Sequence, residues 1–201
     1  MLVFDEPNGS FQVCARSGAS RETVSALRSD LFEGAIYVAK ATCLGGFADR
    51  MAIMFVRAQV ISRGAGRSVV SAAAYRHRTR MEEEQTGMSF RYEGGRAELV
   101  HEELALPDDT PAWLRTMIDG RTVASASEML WNAVDTFEKR ADAQLAREMI
   151  FALPEELSRA ENIALVREFV RDNLTSKGMV ADWVYHDKDG NPHIHLMTPL
   201  R

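Results

Sequence analysis

The sequence predicts a mixed chain of strands and helices, and three stretches predict it. Met51 to Ile61 reads MAIMFVRAQVI, apolar and partly alternating, which is a strand pattern. Ser158 to Leu174 is the clearest helix: Ser158 caps it, Glu161 completes a capping box, and Ile163, Val166, Phe169 and Val170 form a stripe. Met179 to Met197 places two short strands around the dense turn Asp187-Lys188-Asp189-Gly190-Asn191-Pro192.

The other elements follow in order. Residues 1–50 are punctuated by glycines and contain no recognisable site, with a short helix expected at Arg21 to Leu31 behind Ser20. After the first strand, Ser62 to Gly66 is a loop. Arg67 to Arg80 reads as an alanine-rich helix with Ser68 as its cap. Glu82-Glu83-Glu84 reads as its solvated end, and Phe90 to Tyr92 as a short strand before the Gly94-Gly95 turn. Pro107 to Pro111 is a break. Ala112 to Ile118 and Ser127 to Asp142 are expected helices, the second with Trp131, Val134 and Phe137 near one face. Leu145 to Leu153 reads as a strand stopped by Pro154.

Composition narrows the function classes. The chain has 201 residues, 24 Lys+Arg and 29 Asp+Glu, a net charge of −5. No apolar run approaches the ~20 residues of a membrane span, so no membrane insertion is expected. The two cysteines, Cys14 and Cys43, are far apart and form no C-x-x-C pair, which excludes a disulfide scaffold and fits a reducing, cytoplasmic setting. The charge is uneven. Residues 51–80 contain Arg57, Arg63, Arg67, Arg76, Arg78 and Arg80 and no carboxylate, inside an otherwise acidic protein. Such a block is either a solvated helix face or a surface for an anion.

The strongest chemical signal is Tyr185-His186-Asp187-Lys188-Asp189-Gly190-Asn191-Pro192-His193-Ile194-His195-Leu196-Met197. His193 and His195 are two apart on a strand and point to one face, and the turn folds His186 back toward them. Three imidazoles then converge as a metal site. The competing readings are a polar hairpin with chance histidines and a calcium loop at Asp187 to Gly190, which lacks the glutamate an EF-hand loop needs at its twelfth position. Three neutral imidazoles leave a divalent ion its full charge and open positions, suited to polarising a phosphoryl oxygen or to hydrolysis with Asp187 or Asp189 as base.

Tyr75 is the candidate nucleophile, on a predicted helix with alanines on one side and Arg76, His77 and Arg78 on the other. Cations there favour phenolate and hold phosphates. The alternative is an ordinary interfacial tyrosine. Glu148 lies on a predicted inner strand, where a carboxylate needs a partner. Orienting a metal-bound imidazole is one such use, and exposure at a strand edge is the other reading.

Taken in order, the strand at Met51 to Val60, Ser71-Ala72-Ala73-Ala74-Tyr75-Arg76, Ala146 to Pro154 and the three-histidine hairpin resemble the MobA/MobL relaxases, a branch of the HUH endonucleases that includes the TraA-type conjugal-transfer relaxases. The resemblance covers residues 51–201 and implies an α+β fold, an antiparallel sheet with helices packed on it. It implies DNA nicking and joining at a plasmid transfer origin during conjugation or mobilisation, through a 5′-phosphotyrosyl bond to Tyr75. His186, His193 and His195 match the family's ligands for Mg²⁺ or Mn²⁺, and Glu148 its orienting carboxylate. Arg57, Arg63, Arg67, Arg76, Arg78 and Arg80 would face single-stranded DNA. Relaxosome accessory and coupling proteins are implied partners in the bacterial cytoplasm. Residues 1–50 lie outside the resemblance, so translation from Met51 is one expectation. The stop at Arg201 is the basis for another, that the chain is an N-terminal fragment of the relaxase domain, incomplete at its C-terminal end. The alternative to catalysis is a DNA-binding or autoregulatory remnant.

Overall fold

The computed structural model describes residues 52–188 and 190–200, with the strand backbones at 2–5, 10–13 and 36–41. The expected helix at 21–31 lies outside these. The strands are β1 (Leu2–Asp5), β2 (Ser10–Val13), β3 (Ile36–Ala41), β4 (Ala52–Ser62), β5 (Arg80–Glu83), β6 (Met88–Arg91), β7 (Leu99–Ala105), β8 (Gln144–Ala152), β9 (Ala181–Lys188) and β10 (Asn191–Pro199). The helices are α1 (Val69–Arg76), α2 (Ala112–Ile118), α3 (Val123–Phe137) and α4 (Arg159–Asn173).

Six strands form one sheet in the order β3-β4-β8-β10-β9-β7. Every neighbouring pair is antiparallel. β3 belongs to the first fifty residues and pairs with β4. Alternation along β10 sorts the two faces. Ile194 and Leu196 pack with Trp183, Tyr185 and the α4 residues Val166, Phe169 and Val170. Met197 packs with Val69, Val70, Ala73 and Ala74 of α1 and with Leu130 and Trp131 of α3. Helices therefore cover both faces. Leu196 and Ile194 are fully buried, and each such side chain contributes roughly 1.5–3 kcal/mol. His193 and His195 alternate with them and face α1.

Local chemistry sets the helix ends. Ser68 caps α1 by accepting from the Ser71 amide at 3.0 Å. Ser158 and Glu161 form the expected capping box on α4. The β9–β10 turn is tighter than the dense stretch suggests. Lys188 already pairs with Asn191, and Gly190 in the turn takes the left-handed conformation at φ 77. Asp187 and Asn191 sit in the ladder as strand residues.

Several sequence expectations are corrected. The helix from Arg67 to Arg80 is shorter: it ends at Arg76, because Arg78 takes the left-handed conformation at φ 48 and the Thr79 amide bonds back to the Ala74 carbonyl. Arg80–Glu83 is a strand paired with β6, so Glu82-Glu83-Glu84 is no solvated helix end. Glu83 is buried and accepts from the Ser68 and Thr86 hydroxyls. Phe137 is 72% exposed although Trp131 on the same helix is fully buried. The helix expected from Ser127 to Asp142 instead spans Val123–Phe137, capped by the Thr122 hydroxyl, and β7 has no counterpart in the sequence reading.

Candidate active site

The hairpin positions the histidines. His193 pairs directly with His186 across the β9–β10 ladder, and His195 lies two residues further on the same face. Their ring centroids are 5.7 Å (His186–His193), 5.2 Å (His186–His195) and 5.3 Å (His193–His195) apart. One ring nitrogen from each lies within 4.8 Å of the others, a grouping able to hold a metal ion.

Each ring has its other nitrogen occupied. His186 Nε2 donates to the Arg76 carbonyl at 2.7 Å. His193 Nδ1 donates to the Asn191 carbonyl at 2.8 Å. His195 Nδ1 faces Glu148 Oε1 at 3.2 Å. These bonds select tautomers whose remaining nitrogens carry lone pairs. His186 Nδ1 is buried and has no hydrogen-bond partner among the described residues. An orphaned acceptor beside two other imidazoles is what a cation would satisfy, so the residues present fit a divalent ion.

Electrostatics favour neutral imidazoles here. Burial pushes His186 down to about 3, against the raising effect of the Arg76 carbonyl. Burial also lowers His195, partly offset by Glu148. For Glu148, burial raises the carboxyl, but the bonds from His195, Arg76 and Gln59 outweigh it and hold it well below the usual range. Glu148 is thus a buried carboxylate with three partners: His195, the Arg76 guanidinium and the Gln59 amide. It is no exposed strand edge.

Tyr75 is on the last turn of α1, 41% exposed. Its ring stands edge-on to His195 with centroids 6.3 Å apart, and edge-on to Tyr92 at 5.4 Å. Arg78 lies over its face, 4.3 Å from the centroid. Tyr75, Glu148 and His195 open on one groove of about 690 Å³, which Gln59, Arg67 and Phe90 also line.

The six arginines do not act as one block. Arg63 donates to the Asp135, Glu138 and Arg140 carbonyls and pairs with the Asp135 carboxylate at 2.7 Å, closing the C-terminal end of α3. Arg76 is buried on Glu148, and Arg78 pairs with Glu98 at 2.8 Å. Arg57 and Arg80 are exposed, and Arg67 lines the groove. Asp187, a candidate base for hydrolysis, faces away from the histidines and pairs with Arg159 of α4 at 2.9 Å. Asp189 lies outside the described residues.

Several groups escaped the sequence reading. Gln59, Tyr92 and Glu98 carry no local signal. His77 stood in plain view beside Tyr75, but its function depends on distant partners. Its ring is buried between Glu102 and Asp182, each at 2.9 Å, and Asp182 also accepts from Ser127 Oγ at 2.6 Å and Trp131 Nε1 at 2.7 Å. Burial lowers His77, but the two carboxylates raise it to about 9.

The fold and site define an α+β protein whose antiparallel sheet presents three histidines beneath a helix ending in an accessible tyrosine. The sequence profile of the MobA/MobL family matches residues 67–201, and the chain belongs to that family. It is 57% identical over 151 residues to the conjugal transfer protein TraA of Rhizobium radiobacter, covering 75% of this chain and 14% of that protein. It is 37% identical over 138 residues to the mobilization protein MobL of Acidithiobacillus ferridurans, covering 68% of this chain and 32% of that protein. A structure solved in work on the molecular basis of vancomycin resistance transfer in Staphylococcus aureus matches with a TM-score of 0.63 at 28% identity, over 75% of this chain and 71% of that one. The chain thus spans about a seventh of the TraA relative's length. No helix among the described residues is long and apolar enough to cross a membrane.

Proposed function

We propose that this chain carries the nicking and joining chemistry of a conjugative or mobilisation relaxase. Tyr75 Oη attacks a phosphodiester of single-stranded DNA at a plasmid transfer origin. The bond to the 3′-oxygen breaks, a 5′-phosphotyrosyl bond forms, and the phenolic proton is balanced by protonation of the leaving 3′-hydroxyl. The covalent bond keeps the phosphodiester energy, so a 3′-hydroxyl can reverse the step. The observation that carries this reading is the shared groove, in which an accessible tyrosine stands 6.3 Å between ring centroids from one of three convergent histidines.

His186, His193 and His195 would hold Mg²⁺ or Mn²⁺, which when bound supplies Lewis-acid stabilisation of phosphoryl charge. The protein's own groups do the rest. The Arg76 carbonyl and Glu148 fix the orientations of His186 and His195. Arg67 and Gln59 line the groove along which a DNA backbone would run. Arg57 adds exposed positive charge, whereas exposed Arg80 is paired with Glu82, and affinity contributed by such residues falls as salt rises.

The test is an adduct gel with 5′- and 3′-labelled single-stranded oligonucleotides from the transfer-origin region, with Mn²⁺ or chelator. The expected result is an SDS-stable adduct carrying the DNA on the 3′ side of the nick, lost in Tyr75→Phe, in His193→Ala and with chelator. DNA binding without any adduct would assign a binding role instead. Catalysis that survives Tyr75→Phe would return the site to metal-dependent hydrolysis.

A further inference from the structure

We infer that Arg78 is a positioning residue, whose guanidinium holds the Tyr75 ring in its working orientation, and that it is not a contact to the DNA backbone. The inference rests on the reading of Tyr75 as nucleophile. It revises the expectation, drawn from the arginine block, that Arg78 faces DNA.

Four observations converge. First, Arg78 is the one non-glycine residue at positive φ among the described residues, at 48°. A side chain in that conformation persists where its surroundings hold it there. Second, the guanidinium carbon lies 4.3 Å from the Tyr75 ring centroid, over its face. Third, the guanidinium is anchored. Arg78 Nη2 donates to Glu98 Oε2 at 2.8 Å, and Lys188 Nζ holds the other oxygen of that carboxylate at 3.3 Å. Fourth, room has been left for it. A Cβ on Gly95 would fall 2.9 Å from Arg78 Cδ and Nε, so the absence of a side chain at Gly95 is what admits the stack.

Exposure decides between the two roles. The Arg78 side chain is 12% exposed, whereas that of Arg80, two residues on, is 45% exposed. An arginine neutralised by a carboxylate and largely covered has little charge to give a phosphate. Its geometry suits a different task. With Arg78 on the ring face and Tyr92 and His195 edge-on, the phenol is bounded on three sides, which narrows the orientations it samples. Placement of a reacting group on that scale governs rate strongly.

The experiment compares Arg78→Gln, Arg78→Lys and Gly95→Ala with the parent protein. Three quantities are read: the single-turnover rate of adduct formation at saturating transfer-origin oligonucleotide, the Kd for that oligonucleotide across a salt series, and the ¹⁹F resonance of Tyr75 in 3-fluorotyrosine-labelled protein without DNA, assigned with Tyr75→Phe. All three variants are expected to slow adduct formation by about 10- to 100-fold, to leave Kd within about twofold and its salt dependence unchanged, and to shift and narrow the Tyr75 resonance. Gly95→Ala keeps the charge and moves only the guanidinium, so its loss of rate isolates placement. Full rate in Arg78→Lys would overturn the inference. So would an unchanged rate in Arg78→Gln with weaker binding and a salt slope reduced by about one. If Tyr75→Phe itself formed adducts, the nucleophile reading would fall. The resonance then decides alone, and an unchanged Tyr75 signal in all three variants would overturn the hold of Arg78 on the ring.

Discussion

His77 and His186 are both buried, at 1% and 0% exposure, yet their environments push them in opposite directions. Glu102 and Asp182 flank His77 and raise it to about 9, so at neutral pH it is a buried cation. His186 meets a backbone carbonyl on one side and two imidazoles on the other, and burial carries it down to about 3. One ring ties the end of the tyrosine-bearing helix to β7 and β9. The other is held neutral, with a buried Nδ1 that has no hydrogen-bond partner among the described residues. Burial alone therefore does not say what a histidine does; the charge of its neighbours decides.

The largest way to break this contrast is to strip His77 of its counter-charge. Asp182→Ala leaves the imidazolium with Glu102 alone and leaves Ser127 and Trp131 without their acceptor. Urea denaturation should show a loss of about 3–5 kcal/mol. Next comes the carboxylate that serves the other side. Glu148→Gln should weaken Mn²⁺ binding by about 10- to 100-fold in calorimetry, because the hydrogen bond that orients His195 loses its carboxylate charge.

The pH dependence of stability sharpens the comparison, and the two signs oppose. His77 has a folded value near 9 against 6.5 in the unfolded chain. Its contribution is complete below 6.5 and is lost as pH rises toward 9, with a limiting slope of about 1.4 kcal/mol per pH unit. His186 has a folded value near 3, so in metal-free protein the unfolded chain binds the proton first. Its contribution is complete above 6.5 and is lost as pH falls toward 3. Urea midpoints across pH should lose their alkaline slope in His77→Gln and part of their acid slope in His186→Gln. The smallest effect belongs to an ion pair in water. Arg167→Ala removes one of the two partners of Glu103, which keeps His101, and thermal unfolding should change by no more than about 0.5 kcal/mol.

How much of this was legible in the sequence follows from sequence distance. The convergence of the three histidines was legible, because they lie within ten residues and a strand repeats every two. Glu148 was legible as a buried carboxylate that needed partners, but the partners were not. Arg76, 72 positions away, pairs with it through a contact that only the sheet order creates. His77 is separated by 25 residues from Glu102 and by 105 from Asp182, so nothing near it marked a cation. The end of α1 was misplaced because no glycine marks the left-handed residue; tertiary anchoring by Glu98 holds Arg78 there. β7 was missed because His101, Glu102 and Glu103 interrupt its apolar character. Two of them serve partners elsewhere in the fold, Glu102 on His77 and Glu103 on Arg167.

The sheet order has a consequence for synthesis. β10 is the last described strand to leave the ribosome, yet it lies between β8 and β9. Until it arrives, no ladder joins the β4–β8 pair to the β7–β9 pair, and Tyr75 is synthesised long before His193 and His195. The same strand that joins the two halves also delivers two of the three imidazoles. The three histidines can therefore converge only once β10 has entered the sheet.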